Sequence, residues 1–262
     1  MYKILIDSCG ELFDYMQNND HFASIPLTLE IGEEEIIDDD TFDQASFLKK
    51  VKASPTSPKS ACPSPQTYMD AMEGADHIYV VTLSAKLSGS YNSAVLARDL
   101  YLEEYEDERP GVKIHVFDSK SASIGESLIG QRIAQLEEKV MDFEDIVSEV
   151  NQYIEEQHTY FVLETLETLR KAGRLGTMKA MIATALNIKP VMGSTPEGSI
   201  QQLGTGRGMA KTLAISHCNC PNTANMLKDK LEAKATFKEI IIIDTRGVSS
   251  MYANDGGVIL VV

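Results

Sequence analysis

The sequence predicts an α/β protein, with a parallel sheet covered by helices in its first half and an α+β second half. Three observations carry this. Short runs rich in β-branched and aromatic residues recur at 3–6, 77–83 and 112–117. Helical periodicity fills the chain between them, as parallel strands joined by crossover helices require. After about residue 155 the texture changes and a hairpin signal joins the strands and helices.

Taken in order, residues 3–6 form the first strand and run directly into Asp7-Ser8-Cys9-Gly10. Residues 54–65 carry four prolines and four serines and are expected to be an irregular loop. The second and third strands end in Leu83-Ser84-Ala85-Lys86-Leu87-Ser88-Gly89-Ser90 and Asp118-Ser119-Lys120-Ser121-Ala122-Ser123. Ile129, Ile133, Leu136 and Val140 make one apolar helical stripe. Asp142 and Asp145 suggest a variant capping arrangement for a helix that buries Ile146, Val150 and Ile154. Beyond it come a strand at 160–163, a helix at 164–172 closed by Gly173, and a methionine-rich helix at 178–186. Strands at 189–193 and 200–203 flank the turn Thr195-Pro196-Glu197-Gly198. Strands at 213–216 and 239–244 enclose a helix at 223–233, and residues 258–262 make a further strand-sized apolar run. The expected division is 1–155 and 156–262.

Composition excludes several functions. Of 262 residues, 43% are hydrophobic and 24% charged, the balance of a globular protein. Lys plus Arg is 24 against 39 Asp plus Glu, a net charge of −15 that repels nucleic acid and anionic membrane surfaces. No apolar run reaches membrane-spanning length, and the first residues lack a secretory signal, so a cytoplasmic location is expected. Cys9, Cys62, Cys218 and Cys220 do not form a disulfide scaffold. His217-Cys218-Asn219-Cys220 admits a metal reading, but no second ligand pair follows, and a strand end entering a turn is the simpler account. No cofactor is expected.

The three serine-rich loops would converge at the C-terminal ends of the parallel strands, where such sheets bind ligands. Their hydroxyls and free N–H groups suit a carboxylate or phosphate. The same serines also read as helix N-caps. There is no Gly-x-Ser-x-Gly elbow, no Walker-type phosphate loop, and no histidine visibly paired with a serine. Gly204-Thr205-Gly206-Arg207-Gly208 is too loose for a dinucleotide fingerprint. Arg174 and Arg207 each lie beside glycine, which lets an anion approach closely or simply places a turn salt bridge. Met178, Met181, Ile182 and Leu186 suit either a packed core or a wall around an alkyl chain.

Several stretches, in this order and spacing, resemble the DegV family of fatty-acid-binding proteins that serve bacterial fatty acid kinase. They are Asp7-Ser8, Pro58-Lys59-Ser60-Ala61-Cys62-Pro63-Ser64-Pro65, Leu87-Ser88-Gly89-Ser90-Tyr91-Asn92-Ser93-Ala94, Asp118-Ser119, Lys171-Ala172-Gly173-Arg174-Leu175 and Leu186-Asn187-Ile188-Lys189-Pro190. The resemblance implies a two-domain fold with a long-chain fatty acid buried between the domains. It implies that Ser60, Ser88 and Gly89 meet the carboxylate, and that Met178, Ile182 and Leu186 line the acyl tunnel. A kinase catalytic subunit would phosphorylate the bound carboxylate, with Arg174, Arg207 and Tyr252 serving the anion or the partner. The protein would then be a carrier, not an enzyme; the rival is an acyl hydrolase or acyltransferase using Ser88 or Cys62.

Three departures from the family stand out. Cys9-Gly10 replaces the more usual Thr-Ser, and Tyr252-Ala253-Asn254-Asp255-Gly256 replaces His-x-Gly-Pro-Gly. Only nine residues separate Arg207 from His217, where relatives carry a helix.

Overall fold

A computed structural model of the chain describes residues 1–175, 191–202 and 212–262. Within these residues two sheets lie on either side of one helix, and a third, small sheet clasps the site end of both.

The first sheet has the order β2-β1-β6-β7, with β1 at Tyr2–Asp7, β2 at Phe22–Ile25, β6 at His77–Thr82 and β7 at Lys113–Asp118, all parallel. Side chains alternate between its faces with the period of two that a strand imposes. Leu5, Ile78, Val80 and Val116 pack against α3 (Pro65–Met72) and α4 (Ser90–Glu104). Ile4, Ile6, Tyr79, Val81 and Phe117 face α5 (Ile124–Glu137) and α6 (Phe143–Glu156). The short α1 (Asp14–Gln17) joins β1 to β2.

The small antiparallel sheet, β4-β3-β5, comprises β3 (Thr28–Ile31), β4 (Glu34–Ile37) and β5 (Lys59–Ala61), with α2 (Gln44–Ala53) between β4 and β5. It corrects the expected loop at 54–65, because Ser60 pairs with Leu29 inside a strand and Ser64 caps α3 by accepting from the Thr67 N–H at 3.1 Å. Prolines were a poor guide here since they flank the strand and interrupt no ladder bond.

The remaining sheet runs β10-β9-β8-β13-β11-β12. Its strands are β8 (Thr159–Val162), β9 (Met192–Ser194), β10 (Ile200–Gln202), β11 (Thr212–His217), β12 (Glu239–Asp244) and β13 (Val258–Val261). Only β11 and β12 pair in parallel, joined by α8 (Pro221–Glu232), and the other pairs are antiparallel. Two short helices, α7 (Glu167–Lys171) and α9 (Gly247–Ala253), complete the described elements.

Helix α5 is the shared layer. Ile129, Ile133 and Leu136 are buried as the stripe predicted, and they pack in one cluster with Ile4 and Ile6 of the first sheet and Ala214 and Val261 of the other. Gly130 permits the close approach, because a Cβ there would stand 2.6 Å from Ile6 Cδ1. Val140 departs from the expected stripe. The helix ends at Glu137, and Val140 is 89% exposed with φ of +57°. In α6 the predicted face of Ile146, Val150 and Ile154 is buried, but the Asp142 side chain makes no cap bond. Glu144 and Asp145 sit in the first turn instead, where negative charge suits the helix dipole.

The cluster at 217–220 is a strand end entering a turn. β11 stops at His217, and Asn219 takes φ of +52° before α8 begins. Among the described residues no group of three or more His, Cys, Asp or Glu side chains could hold a metal ion. Among them, too, no helix is long and apolar enough to cross a membrane.

Candidate ligand site

The serine-rich loops converge at one sheet edge as the parallel topology requires, and the fold consumes many of their hydroxyls. Asp7, fully buried at the end of β1, accepts from the Leu83 N–H at 2.8 Å and from the Ser90 hydroxyl. Asp118, ending β7, accepts from the Ala85 and Lys120 N–H groups at 3.0 and 3.1 Å. The Ser8 hydroxyl donates to Asp38 and accepts from the Leu27 N–H, each at 3.0 Å. Ser84 donates to the Gly198 carbonyl at 2.8 Å, which fastens the β9–β10 turn onto the first sheet's loops. Gly198 has φ of +82°, and a Cβ there would stand 2.4 Å from the Ser84 hydroxyl, so only glycine fits.

Between the two large sheets lies a partly open cavity whose exposed lining is almost wholly apolar. Leu83, Leu163, Leu169, Phe161, Ile200 and Ile259 supply most of its apolar wall. Four of the expected head-group residues line it together: Ser60, Ser88, Arg174 and Tyr252. Ser60 arrives on β5 and Ser88 in the loop before α4. Arg174 follows α7, and Tyr252 lies on α9. Ser88 Oγ accepts from the Ser90 N–H at 3.2 Å, a bond that does not use its own proton. Arg174 donates to the carbonyls of Leu87 at 3.0 Å and Ala172 at 3.1 Å, and its guanidinium stands 6.0 Å from the centre of the Tyr252 ring. The guanidinium has donors beyond these two bonds.

Burial pushes the Tyr252 phenol up, while Arg174 and a hydrogen bond with Ser60 pull it part of the way back. It is therefore a neutral O–H donor at ordinary pH. The cavity wall thus holds two serine hydroxyls, one phenol and one fixed cation, a set suited to an anion of modest charge. Gly89 is exposed and does not line the cavity. It precedes α4, and a Cβ on it would meet Cys62 Sγ at 3.2 Å. Met178, Ile182, Leu186 and Arg207 lie outside the described residues.

Among the described residues no histidine lines the cavity, and burial holds the Cys9 thiol, which does, well above its usual range and hence neutral.

Sequence reading missed the acids behind the site. Glu11 and Glu126 are buried with Asp7 beside Cys9, and Asp38 is buried under α9. Burial pushes Glu126 and Asp7 up, Glu11 up to about 7 and Asp38 up to about 6. Glu11 accepts from the Ser123 hydroxyl at 2.7 Å, and Ser123 also bonds Ser216 of β11. Asp38 accepts from the Gly247 and Val248 N–H groups, each at 3.0 Å, and so caps α9 from a distant part of the chain. No local signal marks these roles, because Asp38 stands in the run Asp38-Asp39-Asp40 and reads as solvated.

Comparisons with known proteins agree with this geometry. A family model described as an uncharacterised protein of the DegV family matches residues 1–214. This chain is a member of the DegV family. A DegV domain-containing protein of Streptococcus gordonii is 36% identical over 279 residues, covering 99% of this chain and 98% of the relative. Among solved structures, a DegV family protein from Ruminococcus gnavus with vaccenic acid is 47% identical with a TM-score of 0.93, covering 100% of this chain and 99% of that one. The Streptococcus pneumoniae Fatty Acid Kinase (Fak) B3 protein loaded with linoleic acid is 30% identical with a TM-score of 0.88, covering 100% and 98%. This DegV chain therefore has the two-sheet architecture of structures solved with acyl chains.

Proposed function

We propose that this DegV protein binds a long-chain fatty acid in the cavity between its two large sheets and presents the carboxylate to a partner kinase for phosphorylation. The observation that carries the reading is the cavity itself, whose largely apolar wall also carries the Ser60, Ser88, Tyr252 and Arg174 donors. An acyl chain removed from water contributes roughly 0.8 kcal/mol per CH₂, on the order of 10 kcal/mol for a sixteen-carbon acid before ordering costs. Ser60 and Ser88 donate to the carboxylate, Tyr252 supplies a third O–H, and Arg174 serves the charge that grows on phosphorylation. Residues 1–155 contribute the carboxylate loops and 156–262 cover the chain, with Met178, Ile182 and Leu186 along the tunnel. Arg207 belongs with Arg174 at the mouth, facing the phosphate or the kinase. The relatives solved with vaccenic and linoleic acids support the ligand class, and the Fak B3 protein supports the partner.

Purified protein is expected to carry one long-chain fatty acid, found by organic extraction and mass spectrometry. Absence of any acyl species, together with no uptake of added palmitate or oleate, would sink the reading. Ser60→Ala and Ser88→Ala are each expected to weaken fatty-acid binding several-fold, the loss of about 1 kcal/mol per hydrogen bond and more where the acceptor is charged. Intact mass spectra should show no covalent acyl adduct on Ser88, and finding one would turn the assignment to acyl transfer.

A further inference from the structure

Asp7 does not line the cavity, yet it joins three segments that do. Fully buried at the end of β1, its carboxylate accepts from the Cys9 N–H at 3.2 Å, from the Leu83 N–H at 2.8 Å and from the Ser90 hydroxyl. Cys9 and Leu83 belong to the cavity wall, and Ser90 opens α4 two residues after Ser88. Burial raises both Asp7 and its neighbour Glu126, Glu126 the further, so Glu126 keeps its proton and Asp7 is the anion of the pair.

The protons around Ser90 run in one direction. Its hydroxyl proton goes to Asp7, so the Tyr68 phenol, 2.7 Å away, donates to the Ser90 oxygen. The buried Ser90 side chain is thereby held from two sides. Its N–H, one of the amides at the start of α4 without an intrahelical partner, donates to Ser88 Oγ at 3.2 Å. That bond occupies a lone pair of Ser88 and leaves the hydroxyl proton for a ligand. The Ser88 N–H is tied in turn to the Ser84 carbonyl at 3.1 Å.

We propose that Asp7 is a positioning residue for the head group: acting through Ser90, it holds the Ser88 hydroxyl as a hydrogen-bond donor towards the fatty-acid carboxylate. The inference rests on the fatty-acid reading above. Charge and position make opposite demands here. Asp7 is an anion behind a site for an anion, so removal of its charge alone would tighten binding. Asparagine has nearly the same shape but offers a donor where Leu83 or Ser90 needs an acceptor, so loss of position weakens binding.

The test titrates delipidated protein with oleate and compares Asp7→Asn, Ser88→Ala and the double variant. Asp7→Asn is expected to weaken binding about fivefold. In the Ser88→Ala background it should add less than about twofold, because the hydroxyl through which it acts is gone. The NMR signal of an isotope-labelled oleate carboxyl should move in the same direction in the two single variants. Three results overturn the positioning role and leave the fatty-acid reading standing: tighter or unchanged binding by folded Asp7→Asn, losses that multiply in the double variant, or wild-type affinity in Ser88→Ala. Where Asp7→Asn does not fold, Ser90→Ala takes its place, since it removes the hydroxyl on Asp7 and keeps the amide on Ser88. A chain that folds with neither substitution assigns Asp7 to the fold alone and overturns the role. Failure of the wild-type protein to bind any long-chain acid overturns the fatty-acid reading and this role with it.

Discussion

Asp38→Ala should destabilise the protein by about 3 kcal/mol and loosen Tyr252 from the ligand site. The carboxylate is 2% exposed and takes three hydrogen bonds, from the N–H groups of Gly247 and Val248 and from the Ser8 hydroxyl. Those two amides open α9 and have no intrahelical partner of their own. Alanine would leave them buried and unpaired, at about 1–3 kcal/mol for each group before partial relaxation. Glycine at 247 makes room for the carboxylate, because a Cβ there would stand 2.3 Å from Asp38 Cγ. Asp38→Asn keeps one acceptor and should cost less than half as much. Urea unfolding measures both, and a loss under about 1 kcal/mol for the alanine variant would show that α9 is held by other means.

Acidification from pH 8 to pH 5 is expected to stabilise the ligand-free protein. Glu11 has its carboxyl pushed up to about 7 from 4.5, and Asp38 up to about 6 from 3.8, in both cases chiefly by burial. Between the ordinary and the raised values the native state holds protons that the unfolded chain has released. Stability therefore falls as pH rises from about 4 to about 7. For Glu11 alone the displacement corresponds to about 3 kcal/mol. Asp39, Asp76 and Glu167 are shifted the other way by exposed partners that solvent screens, so their opposing contribution is small. Relief of repulsion in a chain of net charge −15 acts in the same direction as Glu11. Glu11→Gln separates the two, since it should remove Glu11's share of the pH dependence and leave that of Asp38 and the net charge in place. A profile that is flat in the wild-type protein, or unchanged in the variant, would contradict the assignment.

The parallel sheet was legible because period-two strands and period-3.6 helices alternate in a fixed order, and burial then follows from periodicity. Ile146, Val150 and Ile154 are the clearest case. Ser60, Ser88, Arg174 and Tyr252 were singled out through family resemblance, and all four line the same cavity. What stayed hidden depends on partners far along the chain. Asp38 serves a helix more than two hundred residues away. Strand β5 was hidden by its flanking prolines, and Val140 continued a helical spacing after the helix itself had stopped.

Because α5 is cemented to both large sheets, the described residues offer no hinge plane of the kind that lets two-lobed binding proteins open like a clam. Swinging the sheets apart would strip Ile129, Ile133 and their neighbours from one wall or the other and expose the Asp7–Glu126 pair to water. The turn of the β9–β10 hairpin ties the two sides together at a second place, through the Ser84–Gly198 bond and its close seat on Lys120.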